Sequence, residues 1–221
     1  MIITIDGPAG AGKSTVARKL AKRLGFEFLD TGAMYRAIAF ALTQLEIDLE
    51  DRSRIVEALQ ALSIDIRNQR IFVNDHDVTR QIRTNEIAQG ASVVATIPEV
   101  RTLLVDLQRQ IAERGNFVCE GRDQGTVVFP HASCKAFLTA APEVRAQRRW
   151  KEMTAKQPDL LLEDVIAEQK IRDLRDETRS VGRLEQAVDA TLVRVDQLTE
   201  EAVVDYLEAL ARAALEEAAS K

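Results

Sequence analysis

The chain has 221 residues, of which 46% are apolar and 29% charged, and its net charge is −5. This composition is typical of a globular protein with one elaborated α/β domain or two small domains. The acidic balance gives no general reason to expect nucleic acid or membrane partners. With no apolar run of 18 residues and no leader-like start, we expect a cytoplasmic protein, and nothing in the sequence demands more than a monomer.

The two cysteines, Cys119 and Cys134, are far apart and each lies in an apolar stretch. We interpret them as small buried hydrophobic residues of a reduced protein rather than as a disulfide. The chain has only two histidines and no CxxC pair, so a structural zinc site is not expected.

Short apolar strands alternate with helices along the chain. Strands are predicted at 2–5, 27–30, 117–119, 135–139 and 192–196. Helices are predicted at 14–24, 98–114, 142–156, 161–178 and 199–218, and the first of them ends at Gly25. This alternation predicts an α/β fold with a parallel sheet flanked by helices.

Two segments exceed a minimal alternating core. Residues 36–100 contain a helical stretch and then a predicted hairpin, with strands at 64–66 and 71–73 that turn near Asn68 and Gln69. Residues 146–183 are rich in arginine, namely Arg148, Arg149, Arg172, Arg175, Arg179 and Arg183. Alone, such a charged segment is typical of a solvent-exposed helix pair.

A phosphate-binding motif follows the first strand. The sequence GPAGAGKS at 7–14 has every fixed position of GxxxxGK[ST], with a strand before it and a helix after it. Lys13 is expected to reach the β- and γ-phosphates, and the Ser14 hydroxyl to bind Mg²⁺. The predicted ATP-binding residues are Gly7, Pro8, Ala9, Gly10, Ala11, Gly12, Lys13, Ser14 and Thr15. Without a GTPase NKxD sequence or a strand that ends in Asp-Glu, the short chain favours a small-molecule kinase.

The remaining motifs carry a resemblance to a known family. The segments DTGAMYR, IRT, a Ser…PEVR stretch, EGRDQGTVVFP and RDLRDETR occur in this order. Together they resemble the bacterial-type cytidylate kinases, from Ile3 to about Val195. The resemblance implies a P-loop core at 1–35, 101–145 and 184–221, a nucleoside monophosphate (NMP)-binding insertion at 36–100 and a helical lid at 146–183. It also implies that ATP, with Mg²⁺, phosphorylates CMP or dCMP.

The resemblance further implies roles for individual residues. The CMP phosphate is assigned to Thr31, Tyr35, Arg36 and Arg122. The cytosine is assigned to Ser92, Arg101 and Asp123, and the sugar to Asp176. The catalytic charges are assigned to Lys13, Arg122, Arg172 and Arg179. Arg148 is expected on the adenine, although neighbouring arginines could replace it.

Elementary chemistry supports the assignments of Arg122 and Asp123. A guanidinium group offers a planar fork to a phosphate. A carboxylate accepts from the N4 amino group of cytosine, whereas uracil presents an acceptor at that place. A buried unmatched acceptor costs about 1–3 kcal/mol, which predicts selectivity for cytosine. The flanking glycines Gly121 and Gly125 are expected to let the backbone bend around this clamp.

The predicted mechanism requires no general base, because the attacking phosphate oxygen is already anionic. Arg172, Arg175 and Arg179 recur on one face of a helix, and their repulsion predicts an open lid until nucleotides bind. Glu120 stands where many members of the family have Asp. Two alternatives remain at this point: another small-molecule kinase of the UMP/CMP or shikimate type, and an ATP-dependent nucleic-acid-binding protein.

Overall fold

The computed structural model describes residues 1–155 and 157–219, so the predicted end of a helix at Lys156 lies outside the described residues. The chain divides into two compact units. The first consists of Met1–Phe28 and Gly115–Lys221, and the second of Leu29–Arg114. The finer division into core, insertion and lid stays a prediction.

A five-stranded sheet forms the centre of the first unit. Its strands are β1 (Ile2–Asp6), β2 (Glu27–Asp30, which crosses the unit boundary), β6 (Phe117–Glu120), β7 (Cys134–Thr139) and β8 (Thr191–Arg194), in the order β2-β6-β1-β7-β8. β1 pairs in parallel with both β6 and β7, and β7 pairs in parallel with β8. Since β1 is central, its carboxyl end lies between those of β6 and β7.

Four helices accompany this sheet: α1 (Lys13–Leu24), α6 (Pro142–Thr154), α7 (Leu162–Thr178) and α8 (Glu200–Ala219). α1 and α8 pack on the strands through a core that includes Ile5, Leu20, Leu138 and Leu207. Gly25 ends α1 with a φ of 68°, as predicted. The parallel sheet flanked by helices is confirmed. Among the described residues, no helix has the length and apolar character needed to cross a bilayer.

The cysteines follow the predicted pattern in part. Cys119 is fully buried in β6, while Cys134 is only partly buried and packs against the core. Burial raises the pKa of both thiols, in the case of Cys134 to about 11. Both cysteines are free thiols.

The second unit is built around one central helix. Its helices are α2 (Thr31–Gln44), α3 (Arg52–Leu59), α4 (Asn85–Val94) and α5 (Pro98–Ala112), with a 3₁₀ turn at Gln81–Arg83. α2 packs against α4, α5 and the small sheet of this unit. It begins at Asp30, whose carboxylate accepts from Ala33 N at 2.9 Å, as expected of an N-cap.

The predicted hairpin is present and is longer than expected. β3 (Ile64–Arg67) pairs antiparallel with β4 (Arg70–Val73), and a missed strand β5 (His76–Asp77) pairs with β4. Both turns place non-glycine residues at positive φ: Asn68 at 50° and Gln69 at 61°, then Asn74 at 47° and Asp75 at 63°. Two-residue turns of this kind need positive φ at both positions.

Gln69 is therefore a strained residue whose replacement by glycine is expected to stabilise the protein. Left-handed backbone is unfavourable for a residue with a Cβ, and Gln69→Gly is expected to add about 0.5–1 kcal/mol to the free energy of unfolding. The urea midpoint measures this change. Gln60→Gly is the matched control, because Gln60 has an ordinary φ of −67° and should lose stability instead. Equal losses in both variants would contradict the prediction.

Candidate active site

The phosphate cradle joins β1 to α1, and its shape requires glycine. Gly7, Gly10 and Gly12 have φ values of 144°, 76° and 84°, which side chains rarely allow. A Cβ on Gly7 would lie 1.9 Å from the Leu138 carbonyl oxygen of β7. The loop can therefore lie against β7 only without that side chain, and glycine-rich loops of this kind can bind an anion through their backbone N–H groups.

Lys13 and Ser14 start α1 at the mouth of this loop. Lys13 is buried, and its Nζ donates to Pro8 O at 2.8 Å. Burial lowers the pKa of Lys13, and the positive charges of Arg122 and Arg172 lower it further, against the opposing effect of Glu120. A phosphate bound here would remove this unfavourable balance of charge.

An oxygen pair beside the cradle fits a hard divalent cation. Ser14 Oγ donates to Glu120 Oε1 at 2.6 Å, so the predicted Mg²⁺ ligand and the carboxylate at the end of β6 are neighbours. Hydroxyl and carboxylate oxygens, together with nucleotide phosphates, are the ligands that Mg²⁺ prefers. Within 1–155 and 157–219, no group of three or more His, Cys, Asp and Glu residues could hold a metal ion without the nucleotide.

The segment after β6 is held as an irregular turn. Gly121 N donates to Ile5 O at 3.1 Å, and residues Gln124–Val128 form a short π-helical stretch. Neither Gly121 nor Gly125 has a positive φ, so the expected glycine bend is not the explanation. Gly125 instead provides space, because its Cβ would lie 3.0 Å from Thr4 Oγ1.

Arg122 and Asp123 each face a residue of the predicted lid. Arg122 Nε donates to Asp176 Oδ2 at 2.8 Å. Arg179 follows α7, and its guanidinium nitrogens lie 4.0 Å from Asp123 Oδ1 and 3.9 Å from Asp176 Oδ1. Burial would raise the pKa of Asp176, but Arg122, Arg172 and Arg179 together lower it.

The nearby carboxylates reduce the repulsion that we expected between the arginines of the predicted lid. The carboxylates of Asp123 and Asp176 already offset part of the positive charge of Arg179 and Arg122. Arg172 lies on the same helix and is partly buried. The structure therefore brings Arg122, Asp123, Asp176 and Arg179 together in one charged cluster, which we call the clamp cluster.

Two arginines of α6 donate hydrogen bonds to backbone carbonyl oxygens of the first unit. Arg148 Nη2 donates to Val195 O at 2.8 Å. Arg145, which we did not single out from the sequence, is buried and donates to Ala9 O of the cradle at 2.9 Å and to Asp173 Oδ2 of α7 at 2.8 Å. Its contacts tie the phosphate loop to α7.

The second unit holds the other predicted substrate residues. Thr31, Tyr35 and Arg36 lie on the first turns of α2, with Thr31 buried and the other two partly buried. Ser92 and Arg101 are buried on α4 and α5, and the Arg101 guanidinium lies 5.9 Å from the Tyr35 ring centroid. The structure thus brings Arg101 and Tyr35 together within this unit.

Two polar residues, one in each unit, were not assigned a role from the sequence. Arg83 Nη2 donates to Asp30 Oδ2 at 3.0 Å in the second unit, and the only sequence signal was its place in the IRT motif. In the first unit, Asp6 accepts from Gln124 N and Gly125 N at 2.9 and 2.7 Å. The signal for Asp6 was an acidic residue at the end of a buried strand, directly before Gly7.

Comparisons with known proteins identify the family of this chain. The cytidylate kinase family model matches residues 3–213. A cytidylate kinase of Caldanaerobacter subterraneus subsp. tengcongensis is 50% identical over 203 residues, which cover 92% of this chain and 91% of the relative. A cytidylate kinase of Rhodopirellula baltica is 43% identical over 220 residues, which cover 100% of this chain and 96% of the relative.

Among solved structures, an uncharacterized protein from Eubacterium ventriosum matches with a TM-score of 0.51 and 12% identity, covering 93% of this chain and 94% of that one. At this identity the match concerns the fold alone. The family assignment depends instead on the match over 3–213 and on relatives that are 43% and 50% identical along nearly their whole length. This chain therefore belongs to the cytidylate kinase family.

Proposed function

We propose that this protein transfers the γ-phosphoryl group of ATP to CMP or dCMP, giving ADP and CDP or dCDP. The observation that carries the proposal is the union of a complete phosphate cradle with the clamp cluster in a member of the cytidylate kinase family. The proposed partners are nucleotides and not nucleic acids, and a single chain is proposed to suffice.

ATP is assigned to residues 7–15 and Arg148. The backbone N–H groups of the cradle and the start of α1 favour the phosphate charge. Lys13 Nζ lies against this loop, where it donates to Pro8 O, and this position supports its role beside the β- and γ-phosphates. Ser14 and Glu120 would hold Mg²⁺, directly or through water, and the ion would neutralise phosphate charge.

CMP is assigned to Thr31, Tyr35, Arg36, Ser92, Arg101, Arg122, Asp123 and Asp176. Arg122 is the proposed phosphate fork, and Asp123 the acceptor for the cytosine amino group. Both are buried or partly buried, so their polar contacts to a ligand would be poorly screened by water. Asp176 Oδ2 accepts from Arg122 Nε at 2.8 Å, and a sugar hydroxyl would compete for the same carboxylate.

The proposed chemistry is an in-line displacement without a covalent intermediate. A CMP phosphate oxygen attacks the γ-phosphorus and the bond to the β,γ-bridging oxygen breaks, which releases ADP. Lys13, Arg122, Arg172 and Arg179 stabilise the charge on the transferred group. The other contribution of the protein is to align both substrates and exclude water.

The division of the chain into core, insertion and lid is also a proposal. Residues 36–100 are assigned as the NMP-binding insertion and 146–183 as the lid, with the rest as core. Two observations support the lid assignment: Asp176 of α7 accepts from Arg122 Nε, and Arg179 follows directly at the end of α7. A lid that carries Arg172 and Arg179 can deliver positive charge when nucleotides are present.

Asp123→Asn tests both the function and the base-reading role. The wild type is expected to release ADP with ATP, Mg²⁺ and CMP or dCMP much faster than with UMP, AMP or shikimate. The asparagine presents a donor as well as an acceptor, so the preference for CMP over UMP should narrow by about 10- to 100-fold. Coupled ADP release with this substrate panel is the measurement.

The outcomes of this panel separate the alternatives. Turnover of CMP with an unchanged preference in the variant would keep the kinase and move base reading to Ser92 and Arg101. No turnover of any monophosphate by the wild type would contradict the proposed function itself. Asp205→Asn is a control, because Asp205 is an exposed carboxylate on α8 that pairs with Arg23.

A further inference from the structure

Asp6 lies between the two functional loops of the first unit but belongs to neither motif. It is the last residue of β1, it is 4% exposed, and the next residue is the first glycine of the phosphate cradle. Its two carboxylate oxygens accept from two successive backbone groups, Gln124 N at 2.9 Å and Gly125 N at 2.7 Å. A buried carboxylate with both oxygens so engaged has one orientation available.

The residue before Asp6 fixes the other end of the same loop. Ile5 O accepts from Gly121 N at 3.1 Å, as β1 and β6 separate. Consecutive residues of β1 therefore hold both ends of the segment Gly121–Gly125. Arg122 and Asp123 are the two residues between the first fixed amide and the second.

The loop is closed on its far side as well. Asp123 O accepts from Val127 N at 2.9 Å and from Val128 N at 3.2 Å, which fixes the carbonyl side of the same peptide whose N–H is bound by Asp6. The backbone at Asp123 has φ −144° and ψ 22°, a conformation outside regular helix or strand. An irregular loop keeps such a conformation only when surrounding hydrogen bonds determine it.

We infer that Asp6 is the positioning residue that sets Arg122 and Asp123 for the monophosphate substrate. The inference builds on the proposed function, since it concerns the residues assigned to CMP. Asp6 does not touch the substrate in this scheme; it acts through the backbone of Gln124 and Gly125. Its removal should therefore impair the monophosphate substrate more than ATP.

Asp6→Asn on the full chain is the principal test. The amide keeps one acceptor oxygen and places an NH₂ group against the second backbone N–H. We expect KM for CMP to rise by about 10- to 100-fold, as expected for a mispaired buried hydrogen bond. KM for ATP should stay within about twofold, and the preference for CMP over UMP should narrow.

Hydrogen–deuterium exchange supplies a readout that does not depend on turnover. In the variant, the amides of a peptide covering 121–129 should exchange faster, while α1 and α8 keep wild-type protection. Asp196→Asn is the matched control, because Asp196 also accepts a backbone N–H, from Ala141 at 2.7 Å. Its KM for CMP and its exchange at 121–129 are expected to match those of the wild type.

A second variant changes Gly125, which donates its backbone N–H to Asp6. In Gly125→Ala, the new Cβ would lie 3.0 Å from Thr4 Oγ1 and 3.4 Å from Asp6 Oδ2, which pushes the loop away from the carboxylate. The same pattern is expected: a raised KM for CMP with an unchanged KM for ATP. This variant keeps the inference testable if Asp6→Asn does not fold.

The results distinguish this inference from the proposed function. A wild type that phosphorylates CMP, with Asp6→Asn and Gly125→Ala equal to it in KM for CMP and in exchange, would overturn the positioning role alone. Equal losses for ATP and CMP would also overturn it, because they indicate general damage to the unit. A wild type that neither binds nor phosphorylates CMP would overturn the proposed function instead.

Discussion

Replacing Lys13 by methionine is expected to lower kcat by about 10³-fold, a typical loss when a charge that stabilises a transferring phosphoryl group is removed. Methionine fills the same space without the ammonium group, and Lys13 is already buried with a lowered pKa. The uncharged side chain should therefore leave the fold intact, and the loss should appear in turnover. Steady-state kinetics with saturating ATP and CMP measures it.

The control for this variant is Lys19→Met, on the same helix. Lys19 is exposed and pairs with Glu200 and Glu201, so the kcat of Lys19→Met should remain within about twofold of that of the wild type.

ATP binding is also expected to change the protonation of Lys13. Burial lowers the pKa of Lys13 to about 7, and a bound phosphate is expected to raise it. ATP binding at a pH between these two pKa values should therefore take up a proton. Calorimetry in buffers of different ionisation enthalpy should detect this uptake in the wild type and lose it in Lys13→Met; a variant with normal kcat and normal uptake would contradict the role.

Arg122→Gln is the second change with a large expected effect, a roughly 10²- to 10³-fold loss of kcat/KM for CMP. The glutamine cannot grip a phosphate with a charged fork, and it leaves Asp176, 4% exposed, without its 2.8 Å guanidinium partner. KM for ATP should change far less, because Arg122 is assigned to the monophosphate. Kinetics with each substrate varied in turn separates the two constants.

Two further variants test the Arg122 prediction, one at the same position and one as a control. Arg122→Lys keeps the charge but not the planar fork, so its activity should lie between those of Arg122→Gln and the wild type. Arg212→Gln removes an exposed arginine that pairs with Glu208 on α8, and should behave as the wild type. Full activity in the lysine variant would show that charge alone is required, and an equal rise in KM for ATP would contradict the assignment to CMP.

Regular elements were predictable because local chemistry determines them. The β-branched run at 2–5, the glycine after Leu24 and the asparagine-containing turn at 68–69 each act within a few residues of the chain. The phosphate cradle was predictable for the same reason, since its glycines and its lysine are contiguous. The clamp cluster could be assigned only through the family resemblance, because Arg122 and Asp176 lie 54 residues apart.

What the sequence did not reveal depends on contacts between distant backbone and side-chain groups. Asp6 and Gln124 are 118 residues apart, and no periodicity connects a strand-end carboxylate to those amides. Arg145 could not be told from Arg148 or Arg149 in one charged run, because burial distinguishes them and charge does not. The strand at His76–Asp77 was missed because two residues are too few to show an alternating pattern.

The pairing of β1 has a consequence for synthesis on the ribosome. Ile3 pairs with Val118 of β6 and with Cys134 of β7, so the first strand made has no partners until more than a hundred residues later. At the usual rate of about 5–20 residues per second, that delay lasts roughly 6 to 23 s. The second unit, Leu29–Arg114, is one uninterrupted run that has been made by then, although its first residues belong to β2, whose partner β6 follows. During this delay the apolar strand β1 and the phosphate cradle stay unformed while the second unit, which lies between them and their partners in sequence, can already fold. The nucleotide site is therefore completed only near the end of translation.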